Sequence, residues 1–382
     1  MSALAATLSA GASRSLVVLP RWMRIALVLP AVAALLCGML AGLARLGWPV
    51  PGPIGQRLGQ LVVVHGALMV GGFFGTLIGL ERAVAIGARW AYFAPAMSGL
   101  AVIAMLSAAP QTWAALLMSC AALFMFAACA KVWLRQRVAH HTALAIAALA
   151  WLSGNIVWTV QGSVLPAVPL WTSFLVLTIA AERLELSRFV PTPKWARAVF
   201  GIIVGVLLAG ALCNLLDDAG LRIFAAALCA LAVWLLRYDI ARRTIKTAGL
   251  TRYMAICLLS GYAWLAVGAL LGVLGGLHVG EALRDAALHA LLLGFVFSMV
   301  FGHAPVIAPA ITRIRFRWHA GFYLPLLALH LTLTVRVVAG IGEWFALRQW
   351  AAAGNALVVL LFIAMVVTSL TRARSPVDSP AR

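Results

Sequence analysis

Four histidines fall inside long apolar stretches of this chain, at positions 65, 289, 303 and 330. An ionisable side chain is costly in such surroundings, so each is a candidate for chemistry. Imidazole ligates a metal or a haem iron through whichever ring nitrogen is left unprotonated. His65 lies about eight residues into its apolar run, counted from Arg57, and His289 follows Asp285 by four residues and Glu281 by eight. At 1.5 Å per helical residue, both imidazoles sit roughly 7–12 Å below the same boundary of a bilayer. Two histidines at one depth on different helices could clamp a haem iron from its two faces. They could equally bond a backbone carbonyl or each other.

Arg336 stands seven residues before Glu343, about 10 Å from that same boundary. A buried guanidinium needs an anion, and a haem propionate accepts its two-pronged donor set. Glu343 and Asp285 are the alternatives within the chain. After His65, glycines 71, 75 and 79 recur every fourth residue. Such a stripe admits a close neighbour, either a flat macrocycle or, more commonly, another helix.

A second polar layer is expected at the opposite boundary. Glu81-Arg82 and Glu182-Arg183 close two apolar runs, and His303 sits near the end of a third, in Phe-Gly-His-Ala-Pro. His289 and His303 are 14 residues apart, so an α-helix puts them within about 40° on one face and about 21 Å apart. This layer could hold a second metal or haem, or carry protons towards the outer site. It could also be plain interfacial Glu–Arg pairing. His330 is turned about 120° from Arg336; it is either a second-site ligand with His303 or a satisfied core histidine. His140, His141, His278 and His319 fall in loops or at their edges. The six cysteines all lie in apolar runs without a CxxC or CxxCH, which offers neither a zinc site, a redox pair nor covalent haem.

Long helices must position these groups. Of 382 residues, 64% are apolar and 10% charged, and the mean hydropathy is +1.04. A soluble domain is about a quarter charged, so the chain reads as an all-α polytopic membrane protein, one transmembrane domain over 1–382. Apolar runs predict twelve spans at 22–44, 58–80, 90–109, 112–133, 141–161, 166–184, 196–216, 219–236, 253–276, 284–306, 319–340 and 346–370. The stretch up to Leu19 lacks a charged start followed by a cleavable apolar core, so the first span is expected to be retained.

The net charge of +19 needs no nucleic acid once the charges are placed. Twenty-three Lys and Arg fall on one side of these spans and five on the other: Arg45, Arg57, Arg222, Arg284 and Arg348. That asymmetry predicts both termini on the cytoplasmic side of a bacterial-type cytoplasmic membrane. Spans two, six and ten end alike, in Leu-Ile-Gly-Leu-Glu81-Arg82, Thr-Ile-Ala-Ala-Glu182-Arg183 and Met-Val-Phe-Gly-His303-Ala. Four spans separate each, which fits a pseudo-threefold plan of four-helix units.

Histidines on spans two and ten at matching depth, with an arginine near the outer end of span eleven, resemble subunit I of the haem-copper oxidases. The resemblance implies a b-type haem with His65 and His289 as axial ligands and Arg336 as a propionate partner. That family's copper histidines on spans six and seven have no counterpart here. The resemblance therefore implies no oxygen-reducing binuclear centre, and copper lacks a ligand cluster. The stretch His289-Ala-Leu-Leu-Leu-Gly294 followed by Gly302-His303 is also similar to the late elements of the NnrS family, haem proteins tied to nitric oxide stress. His65-Gly66 resembles part of that family's early His-Gly-His-Glu element, whose second His-Glu is missing here, as is the usual Arg-Pro-Phe-Phe start.

Two functions follow as expectations. One is a haem b protein of the inner membrane, serving electron transfer or nitric oxide, with a separate redox protein or a quinone supplying electrons. The other is a secondary transporter in which Arg336 binds an anionic substrate and Glu81, Glu182 or His303 couples protons. A purely structural subunit is the remaining possibility.

Overall fold

A computed structural model of the chain describes residues 19–49, 53–107, 109–186 and 192–371. Arg14, Arg188, Arg372, Arg374 and Arg382 of the charge count, and the N-terminal stretch before Leu19, lie outside the described residues. Twelve helices among the described residues are long and apolar enough to cross a membrane. They are α1 (Arg21–Arg45), α2 (His65–Ile86), α3 (Arg89–Leu106), α4 (Gln111–Arg135), α5 (Ala139–Gln161) and α6 (Leu165–Leu186). The second six are α7 (Lys194–Cys213), α8 (Ala219–Tyr238), α9 (Gly249–Gly276), α10 (Arg284–Thr312), α11 (Ala320–Ile341) and α12 (Phe345–Ser369). The protein is an all-α, polytopic membrane protein. The physical reason is the solvent. Hydrocarbon offers no partner for a bare peptide group, so each crossing closes its own hydrogen-bond ladder.

The most enclosed helices are α6 and α10, with 72% and 67% of their apolar windows buried, against 28% for α1 and 33% for α12. Helix α6 touches both α2 and α10. Phe297 of α10 stacks on Phe73 with centroids 6.0 Å apart and meets Phe74 edge-on at 5.4 Å. The three helices whose ends match in sequence therefore meet at the centre of the bundle. Exposed tryptophans mark its two ends. Trp22 and Trp195 begin α1 and α7, and Trp113 and Trp350 lie near the starts of α4 and α12, where indoles favour the lipid–water boundary.

Several helices outrun their expected ends, α2 and α10 by the most. Helix α2 continues past 80 to Ile86, α6 past 184 to Leu186, and α10 past 306 to Thr312. At α2 and α6 the charges taken as stops find partners outside their own helix, so they lie within the helices rather than after them. Pro305 and Pro309 both sit inside α10. Four residues apart, they place their missing donors on one face, and the ladder persists on the other. Pro166 and Pro169 fall in the first turns of α6, where no donor is needed.

Span two also starts differently. A helix over Pro53–Val63 breaks at Val64 (φ −98°, ψ 12°), and α2 begins at His65. Both α2 and α10 then widen into π-helix, over Leu68–Gly75 and Ala290–Phe297. A π segment adds a residue to the turn and often marks a functional site. One added residue turns His289 and His303 about 140° apart instead of about 40°, so the expectation that they share one face fails.

Candidate functional site

His65 opens α2 beside α1, and its Nδ1–H donates to the Gly38 carbonyl at 2.7 Å. A carbonyl only accepts, so the proton is on Nδ1 and Nε2 keeps its lone pair. One helical turn further along α1, a Cβ at Gly42 would stand 3.0 Å from His65 Cε1. Gly42 thus makes the space that the imidazole fills, while Gly38 supplies the carbonyl it bonds and lets Met69 pack close. Gly42→Val is expected to destabilise the protein by roughly 1–3 kcal/mol through overpacking. Gly59→Val, at a position with nothing within 4 Å, is the control, and unfolding temperatures in detergent compare the two.

His289 is held in the same tautomer. Its Nδ1–H donates to the Asp285 carbonyl one turn back at 2.8 Å, with the Asp285 carboxylate 3.3 Å away. Asp285 is in turn gripped by both prongs of Arg336, Nε to Oδ2 at 2.9 Å and Nη2 to Oδ1 at 2.7 Å. His65, His289 and Arg336 line one cavity of about 650 Å³, within the range of cofactor and small-molecule sites. An apolar recess continues inward between Met69, Phe74, Leu292 and Phe297, still bounded by both imidazoles. Phe74 and Phe297 form its floor. Arg45, Arg284 and Arg348 line the rim, facing Glu281 and Asp285. Three of the five arginines on the arginine-poor side therefore gather at one cavity.

The inner layer lies beyond that floor. Arg82 Nη2 reaches Glu81 at 2.7 Å and Glu182 at 3.0 Å, tying α2 to α6. Arg183 stands 3.7 Å from Asp239. The oxygens of Asp239 already accept the Ala241 amide at 2.6 Å and the Tyr262 hydroxyl at 2.8 Å. His303 donates Nδ1–H to the Met299 carbonyl at 2.7 Å and feels the charges of Arg183, Glu81 and Asp239.

One family, described as a domain of unknown function (DUF8744), matches residues 24–371, a range that takes in all of these residues. The chain belongs to the DUF8744 family. No curated protein matches it.

Several alternatives that the sequence leaves open are narrowed in this DUF8744 chain. Arg336 gives its fork to Asp285, so it acts first as the support of the first turn of α10, which presents His289. His303 lines neither part of the cavity and belongs to the inner layer. His330 leaves the site altogether: Trp264 donates to its Nδ1 at 3.0 Å, and its Nε2–H lies 3.0 Å from the Ser260 hydroxyl. Both ring nitrogens are used, as in a satisfied core histidine. The glycine stripe serves packing, since Cβ atoms at Gly71, Gly75 and Gly79 would meet Met118, Trp151 and Pro95. Among the described residues no group of three or more His, Cys, Asp or Glu is placed to hold a metal ion. The residues missing from the sequence reading are Gly38 and Gly42, whose spacing was visible, and the rim arginines, which had been counted for topology alone.

Proposed function

We propose that this chain is a haem b-binding protein of the cytoplasmic membrane, with His65 and His289 as the axial ligands and both termini cytoplasmic. One observation carries the reading. Two imidazoles on different helices line the same cavity, each with Nδ1–H tied to a carbonyl and Nε2 left as a lone pair. That second bond fixes the tautomer and ring direction and is the usual support of a ligating histidine.

The remaining residues fit the group. The recess between Phe74, Leu292 and Phe297 is apolar, as a porphyrin face requires. Arg45 and Arg348 on the rim would meet its carboxylates, and Arg348 Nε is buried without a partner. Arg336 holds Asp285, and Asp285 holds His289 in place. Haem iron held by two imidazoles supplies one-electron transfer, while an open position would admit a gas. The orientation rests on the Lys and Arg asymmetry. The link to nitric oxide rests on the NnrS resemblance, and electrons would enter from a separate redox protein or a quinone.

The paired π segments of α2 and α10 favour a second reading, a secondary transporter built on irregular helices. Its anion site at Arg336 is weakened by the Asp285 pairing. The visible spectrum separates the two. Protein purified in mild detergent is expected to show a Soret band, with sharp α and β bands after dithionite. Colourless protein from cells supplied with ample haem would overturn the haem reading, and solute uptake into liposomes would then be measured.

A further inference from the structure

We propose that the inner ends of α2, α6 and α10 form a binding site for one exchangeable proton, shared among Glu81, Glu182 and His303. The geometry begins at a single nitrogen. Arg82 Nη2 serves a carboxylate oxygen of Glu81 at 2.7 Å and one of Glu182 at 3.0 Å. Two carboxylates on one nitrogen are held within about 6 Å of each other, the arrangement in which like charges resist joint ionisation.

The neighbours do not supply the missing charge. Arg183 is the second guanidinium, and its nearest carboxylate is Asp239. The layer thus holds three carboxylates, Glu81, Glu182 and Asp239, against two guanidiniums, Arg82 and Arg183. Tyr262 donates to Asp239 and brings no charge. Glu185 adds a further negative charge beside Glu182, and Cys129 stands next to Arg82. With a neutral imidazole at His303 the layer is negative, and one proton brings its core of three acids and two bases to neutrality. His303 can hold that proton, because its Nδ1–H is committed to Met299 and its Nε2 lone pair is open.

A second observation points the same way. The Arg183 side chain is 4% exposed, yet its Nε has no hydrogen-bond partner. The layer therefore contains surplus acid beside a buried donor whose nearest carboxylate, Asp239 at 3.7 Å, is beyond hydrogen-bond reach, a geometry that leaves room for its bonds to rearrange with protonation. The carboxylates remain reachable: Glu81 and Glu182 are 26% and 29% exposed. Phe73, Phe74 and Phe297 pack on one another between this layer and the cavity, so exchange is expected with the inner face of the bundle rather than with the histidine site.

Infrared difference spectra of the full chain in lipid nanodiscs, recorded on pH change in H₂O and D₂O, test this. The expected result is one exchangeable proton per chain, seen as a carboxylic-acid carbonyl or imidazolium band that shifts in D₂O. Glu182→Gln removes one negative charge and is expected to remove that band, with Glu81 still paired to Arg82. A wild-type protein without the band overturns the proposal, and needs no variant to do so. Retention of the band in folded Glu182→Gln overturns it too. Loss of the band on adding Na⁺ at fixed pH would make the layer a metal-cation site instead. None of these readouts depends on haem, so the site and the cofactor reading stand or fall separately.

Discussion

Replacing Asp285 with asparagine is expected to cost about 3–5 kcal/mol of stability, the range for removing one partner of a buried ion pair. Both Asp285 oxygens are engaged by Arg336, and the Arg336 side chain is 8% exposed. Asparagine keeps the shape and one acceptor but removes the charge, so the guanidinium is left buried without an anion. The coupling to His289 makes the change functional as well. The Asp285 carboxylate lies 3.3 Å from His289 Nδ1, and its loss leaves the imidazole held by the Asp285 backbone carbonyl alone. The comparison that isolates the pair is the double variant Asp285→Asn, Arg336→Met. With both charges gone, most of the stability is expected to return, because a buried pair replaced by neutral groups of similar size is often tolerated. Thermal unfolding of cofactor-free protein in detergent measures all three. A single-variant loss below about 1 kcal/mol would place the pair in the range of solvent-screened surface bridges.

The chain announced its architecture because bilayer physics leaves few options. Twelve apolar runs and a one-sided charge distribution give the helices and their alternation. The matching ends at Glu81-Arg82, Glu182-Arg183 and His303 fit a pseudo-threefold plan; that the helices carrying them, α2, α6 and α10, touch one another is a finding of the structure. What sequence could not give was phase and partnership. A π segment adds a residue without any signature that separates it from α-helix, and it turned His303 away from His289. His330 is satisfied by Trp264 and Ser260 of α9, and no spacing along α11 reveals a partner on another helix. Helix ends were misplaced where a charge was neutralised by a distant residue, as Arg82 is by Glu182. Arg45, Arg284 and Arg348 were legible one by one, but their gathering at a cavity is a property of the packed bundle.

The largest effect on function is expected from the two cavity histidines, and the structure distinguishes them. In both His65→Ala and His289→Ala an axial ligand would be lost, and the spectrum of a haem held by two imidazoles is expected to disappear. Their effects on the cofactor-free protein differ. His65 donates across the helix boundary, from α2 to the Gly38 carbonyl of α1. Its removal deletes an interhelical hydrogen bond, worth about 0.5–1.5 kcal/mol, and opens a void beside Gly42. His289 donates to Asp285 within its own helix, so its removal unties no neighbour. The expected order of cofactor-free unfolding temperatures is therefore wild type close to His289→Ala, with His65→Ala lower. Measured beside the visible spectra, that order separates ligation from packing. If His65→Ala lost colour and stability while His289→Ala kept full haem, His65 would be a packing residue and the paired-ligand reading would be lost. If both lose haem and only His65→Ala loses stability, then the imidazole on α10 has no packing role through which its loss of haem could be explained, and ligation is what remains.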